Sequence, residues 1–281
     1  MTIFLGFRNR LDAATLSGGS WSSLLPRNNI KTRELEEVAR TTDATTASTA
    51  INIDLGDVYP LRVVTLHNHN LSQAGSWRVK LGTTSGGSEI YAGPWQAAWF
   101  LDFDDPHTPW EAGAWWTTPD TDYRRHPFLA PILLPAGSAA RYVRIEIDDT
   151  ANADGYIQIG RAFVGDGLQP ELGPVYGLQD GWRDLSGVVY ADGGADFIYR
   201  RQRRRWVRFD LPHLNQDREF ARFYEFLRRV GTVEEVLYLP SLTDYQACQR
   251  TGFLGLLEEL SPIEYPRYKG RALALQMQER L

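Results

Sequence analysis

The sequence predicts a mainly β protein in two parts: a β-sandwich, then a smaller β-rich (α+β), barrel-like domain with one packed helix. Three observations predict this. Residues 46–81 hold three apolar, strand-like segments separated by polar turns. A matching pair of segments returns at Arg141–Ile147 and Tyr156–Gly165. Beyond a Gly/Pro-punctuated stretch, Gly165–Gly177, the pattern changes and one amphipathic helix appears among strands.

In the first part, Ile51, Ile53 and Leu55 alternate before a Gly56–Asp57 turn, and a second apolar run covers Leu61–Leu66. A polar His-Asn-His-Asn turn follows, and then Trp77, Val79 and Leu81 share one strand face. Such alternation puts every second side chain on a core. Val143, Ile145 and Ile147 repeat it, with Tyr142, Arg144 and Glu146 pointing the other way. The chain begins with a short strand carrying Ile3, Phe4, Leu5 and Phe7. A strand that short is unstable alone and must join a sheet in its own chain or in a neighbour. The expected division is an arm at 1–19, the sandwich at 20–165, a linker at 166–177 and the second domain at 178–281.

Residues 82–140 are irregular apart from a Gly86–Gly87 turn and a short strand at Glu89–Tyr91. This segment carries Trp95, Trp99, Trp110, Trp115 and Trp116 among Asp and Pro. Loops beyond about 12–15 residues in compact domains are functional or disordered, and the aromatic content argues against disorder. In the second part, Phe197–Asp210 reads as one long strand. Asn215–Val230 reads as a helix with Phe220, Phe223, Tyr224 and Leu227 on one face, Asn215 or Asp217 as cap, and Gly231 as stop. Strands at Glu234–Leu239, Gly252–Leu257 and Arg271–Met277 complete it.

Composition narrows the function. The 281 residues are 43% hydrophobic and 12% aromatic, as in a folded protein, and two domains are the natural expectation. A net charge of −5 gives no general electrostatic reason to bind nucleic acid. One cysteine, Cys248, precludes an intramolecular disulfide and suits a reducing cytoplasm. Arg8 and Arg10 interrupt the apolar start, so no secretory signal is expected. No apolar run reaches the ~18 residues of a spanning helix, so no membrane insertion is expected.

No catalytic constellation emerges, and neither catalysis nor a cofactor is expected. His67 and His69 would face one side of a strand as a metal pair, but no third ligand is placed, and turn hydrogen bonding is the stronger reading. Asp102, Asp104 and Asp105 could bind calcium or supply paired carboxylates for glycoside hydrolysis. A solvated turn before Pro106 is the simpler account. Asp148, Asp149 and Asp154 are weaker candidates still. Exposed tryptophans stack on sugar rings, so Trp95, Trp99, Trp110, Trp115 and Trp116, with Asp102 and Asp104, form the candidate carbohydrate site. Packing in a core or in a contact between subunits, where aromatics are also enriched, is the stronger reading of these tryptophans. Arg200, Arg201, Arg203, Arg204, Arg205 and Arg208 alternate with aromatics, which fits a solvated strand face or an interface with an acidic neighbour.

The segments INIDLG (Ile51–Gly56), LRVVTLHNH (Leu61–His69), ARYVRIEI (Ala140–Ile147) and IQIGRAFVG (Ile157–Gly165) resemble the galactose-binding-like jelly roll of the discoidin, or factor 5/8 C-terminal, type. Secreted members of that group close the sandwich with a disulfide, which one cysteine cannot form. VARTTDATTASTAINIDLG (Val38–Gly56), VVTLHNHNLS (Val63–Ser72), WRVKL (Trp77–Leu81), RRRWVRFDLPHL (Arg203–Leu214) and the final RALALQMQERL are similar to tail proteins of long-tailed bacteriophages, in particular distal tail (baseplate) proteins.

That resemblance implies a structural ring, a homohexamer, joining the tail tube protein to the hub and receptor-binding proteins in the virion tail tip. Assembly would take place in the host cytoplasm, and the jelly roll would touch host-surface glycan. It implies Phe4, Phe7, Arg201, Arg203, Arg205 and Trp206 as subunit-interface residues. The alternative is a carbohydrate-binding adhesion protein whose main task is cell-surface recognition.

Overall fold

The computed structural model describes residues 3–99, 129–174, 177–190, 193, 196–215, 219–267 and 270–281. The strands of the first half are β1 (Phe4–Phe7), β2 (Thr15–Ser17), β3 (Ala39–Arg40), β4 (Ile51–Pro60), β5 (Val63–His69), β6 (Ser76–Gly82), β7 (Tyr91–Ala92), β8 (Gln96–Ala97), β9 (Leu129–Leu133), β10 (Ala139–Asp148) and β11 (Gln158–Gly165). Those of the second half are β12 (Gly167–Leu168), β13 (Gln179–Arg183), β14 (Gly187–Tyr190), β15 (Asp196–Tyr199), β16 (Arg204–Asn215), β17 (Val236–Leu239), β18 (Phe253–Leu257), β19 (Glu264–Arg267) and β20 (Gly270–Glu279). The helices are α1 (Thr46–Thr49), α2 (Glu219–Val230) and α3 (Tyr245–Thr251). The protein is mainly β, as the alternation predicts. It divides into two compact units: Gly6–Gly167 with Ser241–Gly252, and Met1–Leu5 with Leu168–Pro240 and Phe253–Leu281.

The first unit is a jelly-roll-like sandwich. One antiparallel sheet runs β2-β4-β10-β6-β7, with β8 also on β6, and the other runs β3-β11-β5-β9. Consecutive strands β4 and β5, and again β10 and β11, lie in different sheets, so the chain crosses the sandwich at both points. Val143 pairs with Ile53 on one side and Leu81 on the other, and Ile145 with Ile51 and Val79. These side chains meet Val64, Leu66, Ala130, Ile132, Ala162 and Val164 of the second sheet in one apolar core. Each such buried Val, Leu or Ile side chain contributes about 1.5–3 kcal/mol of transfer free energy.

Three local expectations change. The expected Gly56–Asp57 turn is instead an irregularity within the single strand β4, where Gly56 adopts φ 83 and register shifts between Ala140 and Tyr142. Glycine reaches that conformation without the Cβ clash that other residues meet. The expected His-Asn-His-Asn turn is largely strand, because β5 runs through His69 with only Asn68 at positive φ. The short strand near Glu89 lies slightly later, at Tyr91–Ala92.

The second unit holds a sheet in the order β12-β1-β17-β18-β20-β16-β13, with β19 also on β20. Helix α2 starts at Glu219, with residues 216–218 and hence the candidate cap Asp217 outside the described residues. Its buried stripe is Phe223, Phe226, Leu227 and Val230, while Tyr224 is exposed. The helix is thus turned from the expected Phe220–Tyr224 face. Gly231 closes it at φ 57, donating its N–H to the Leu227 carbonyl at 3.0 Å.

The long strand expected over Phe197–Asp210 is two strands. β13 pairs with β16 through Arg183↔Arg204, whereas β14 pairs with β15 through Gly187↔Tyr199, a register one residue different. At the joint, the Arg201 N–H donates to Ser186 Oγ at 2.9 Å and Arg203 pairs with Asp184 at 3.3 Å. Side chain–backbone bonds there take over from the ladder.

Candidate functional site

The outward face of the β4-β10-β6 sheet carries a polar ladder. Cross-strand register puts Arg144 beside Asn52 and Lys80, and Glu146 beside Arg78. Outward positions alternate with the core residues, so one pleat sets both the apolar packing and this ladder. The Glu146 carboxylate accepts from Arg78 Nε at 2.6 Å and Lys80 Nζ at 3.1 Å, and Arg144 Nε lies 2.7 Å from it. Three cations therefore surround one carboxylate, leaving the cluster positive. Glu146 is nearly buried while its partners keep partial solvent contact. Burial pushes its carboxyl up, but the bonds from Arg78 and Lys80 and the charge of Arg144 prevail and hold it below its ordinary value.

Trp95 meets this ladder at Arg78. The Arg78 guanidinium lies 4.3 Å from the Trp95 ring centroid, and the residue is 39% exposed. A tight turn flanks Arg144: Gly86, at φ 77, would place a Cβ 3.3 Å from Arg144 Nη1. Glu89 pins the turn by accepting from Thr83 N–H at 3.0 Å and Thr84 Oγ1 at 2.8 Å. An exposed indole beside a guanidinium can stack on the apolar face of a pyranose while neighbouring cationic donors bond its hydroxyl or carboxylate oxygens.

The other residues singled out by the sequence fall elsewhere. Trp99 is half-buried against the core, donates Nε1–H to the Leu71 carbonyl at 2.8 Å, and meets the His69 ring edge-on at 5.2 Å. Trp110, Trp115, Trp116, Asp102, Asp104 and Asp105 lie outside the described residues. Asp149 is buried and accepts from Ser72 N–H at 2.7 Å and Asn152 Nδ2 at 2.8 Å, while Asp154 accepts from Asn70 Nδ2 at 2.9 Å. Both carboxylates tie loops together.

His67 and His69 are buried as well. His67 Nε2 lies 2.6 Å from Thr65 Oγ1, and neither ring nitrogen of His69 has a hydrogen-bond partner. Burial holds the His69 imidazole down at about 4. Among the described residues no group of three His, Cys, Asp or Glu could hold a metal ion, and no helix is long and apolar enough to cross a membrane.

Of the candidate interface residues, Phe4 and Arg205 are buried and Trp206 is partly covered. Arg205 is ion-paired with Glu279. Phe7 is half-buried, Arg201 exposed, and Arg203 exposed beside Asp184. Sequence reasoning did not single out Arg78, Lys80, Arg144 and Glu146 as a site. Their only signal was outward alternation on two strands whose register the sequence leaves open.

No protein-family model and no curated protein matches the chain. Several solved structures are similar to it. One is the family 32 carbohydrate-binding module from C. perfringens NanJ in complex with galactose, at 10% identity over 57% of this chain and 98% of that one, with a TM-score of 0.36. A Streptococcus pneumoniae fucose-binding module matches at 12% identity over 57% and 96%, with a TM-score of 0.37. A family 89 glycoside hydrolase from Clostridium perfringens matches at 11% identity and a TM-score of 0.36; the match covers 59% of this chain and only 16% of that enzyme.

Proposed function

We propose that the chain is a carbohydrate-binding adhesion protein that recognises a surface glycan with the outward face of its sandwich. One observation carries this reading: an exposed Trp95 ring stacked against Arg78, one of three cations that share a single carboxylate. The ring supplies a flat apolar surface, and the surplus positive charge favours sugars bearing a carboxylate or other acidic substituent. Nothing in the ladder supplies two carboxylates spaced for glycoside cleavage, so the reading is binding without catalysis. A screen of the full chain against immobilised neutral and acidic glycans tests it. Retention on acidic pyranose-containing glycans is expected; retention on no glycan would overturn it.

A second reading is a ring-forming component of a phage tail tip, with the sandwich as its outer module. The observation in its favour is the second unit's β14–β15 ribbon, whose side chains are exposed on both faces. Co-assembly with a tail tube protein, seen as closed rings by electron microscopy, is its test.

A further inference from the structure

The second unit carries a cluster of one arginine and three aromatic rings. Arg271 opens β20, where it pairs with Leu214 of β16. Its guanidinium carbon lies 4.0 Å from the centroid of the Tyr265 ring, on β19, and 5.7 Å from that of Phe220, on α2. Phe220 meets Tyr265 edge-on at 6.4 Å and Tyr224, one helical turn further on, at 5.8 Å. All four residues belong to the same compact unit.

Arg78, Arg141 and Arg205 each have a carboxylate partner. Arg271 has none among the described residues. Its Nη1 donates to the Gly270 carbonyl at 3.1 Å, and its Nε–H has no acceptor. Covered polar groups ordinarily find a partner, so a guanidinium left in this state calls for one. The rings do not supply it. Stacking takes the face of a guanidinium, whereas its N–H groups lie in the plane, where a carboxylate binds in two-pronged fashion. The aromatic contacts thus hold Arg271 in place and leave its in-plane donors to an anion.

A packing role alone would explain the stacked arginine, but not how open the rings are. Tyr265 is 62% exposed and Tyr224 58%. Two exposed tyrosines and one arginine fall well short of the ~800 Å² that each partner gives to a standard protein interface. They suit a smaller ligand with an apolar face and a carboxylate. An acidic pyranose has both, since its C–H face stacks on an aromatic ring and its carboxylate pairs with the guanidinium.

We infer that Arg271, Tyr224 and Tyr265, braced by Phe220, form a second glycan site that takes an acidic sugar. The inference rests on the reading of the chain as a binder of acidic glycan, but on residues of the other unit. The sandwich ladder sets three cations against one carboxylate, while this cluster offers a single cation. It is therefore the weaker site, and it sustains the residual binding of W95A.

Calorimetric titration of full-chain W95A with an oligoglucuronate tests it, with a neutral oligoglucoside and an oligoglutamate peptide for comparison. W95A should bind the oligoglucuronate at least tenfold more tightly than either comparison ligand. Adding R271Q or Y224S to W95A should weaken that binding at least tenfold. Circular dichroism and Tm report the fold of each variant, and Y224S alters only an exposed ring. Binding by wild type that vanishes altogether in W95A would overturn the second site and leave the Trp95 reading standing. Equal binding by wild type and W95A, lost in R271Q, would support this site and remove Trp95. Binding in W95A that persists in Y224S and in folded R271Q would overturn the inference. So would tighter binding of the oligoglutamate peptide, which would make the cluster a protein-docking surface.

Discussion

Arg205 and Glu279 form a buried, multiply bonded pair between neighbouring strands: Arg205 Nε and Nη2 donate to the Glu279 carboxylate, Nε at 2.9 Å, and the Arg205 backbone N–H donates to it at 2.8 Å. Both side chains are almost solvent-free, at 4% and 2% exposure. One member of a basic run that reads from sequence as a charged face is therefore an internal clamp between β16 and β20.

Glu279→Ala leaves a buried guanidinium without its carboxylate. Breaking one side of a buried pair costs about 3–5 kcal/mol, whereas replacing both partners with apolar residues of similar volume is nearly neutral. Denaturant unfolding should show E279A strongly destabilised and R205M/E279L much less so. Equal losses in the two variants would contradict the clamp.

Acid should weaken the fold through His69. Burial lowers its pKa from 6.5 to about 4, with Asp149 pulling weakly the other way. The unfolded chain takes up the proton first, so the stability contribution is full above pH 6.5 and is lost as pH falls toward about 4. A lowering of that size corresponds to about 3 kcal/mol. His69→Phe keeps a ring against Trp99 and should flatten unfolding free energy across this window. A slope unchanged in H69F would refute the assignment.

Cys248 should be inert while the protein is folded. It is buried, bonded to the Ser241 carbonyl, and its thiol is pushed up to about 12 by burial. Thiolate is the reactive form, so labelling by a thiol reagent at neutral pH should track unfolding. Rapid labelling of the native chain would contradict the placement of α3, which carries this residue.

Trp77 fills the sandwich core at 0% exposure. Trp77→Ala should cost about 3–5 kcal/mol. Trp77→Phe should cost less, since the indole N–H has no hydrogen-bond partner to lose. Thermal unfolding of the two variants checks the order.

Much of the sandwich was legible because Ile51/Ile53, Trp77/Val79/Leu81 and Val143/Ile145/Ile147 alternate strictly, and a half-buried strand imposes that pattern directly. What depends on pairing was not. Arg78 and Glu146 are 68 positions apart and meet only through the β6–β10 register. Helix α3 is seven residues long, with its Asp244 cap donated to by the Ala247 N–H as its one local signal. Its place in the sandwich unit rests on Gln249 Nε2 donating to the Ala98 carbonyl at 2.9 Å. The break at 200–203 is set by one residue of register, which the continuous aromatic and arginine run conceals.

The most direct measurement is the affinity of wild type and Trp95→Ala for an acidic glycan retained by the full chain, by titration calorimetry. The account predicts at least a tenfold loss of affinity in W95A, about 1.4 kcal/mol, with Tm unchanged. Equal affinity in the two proteins would contradict it and remove the Trp95 face as the glycan site.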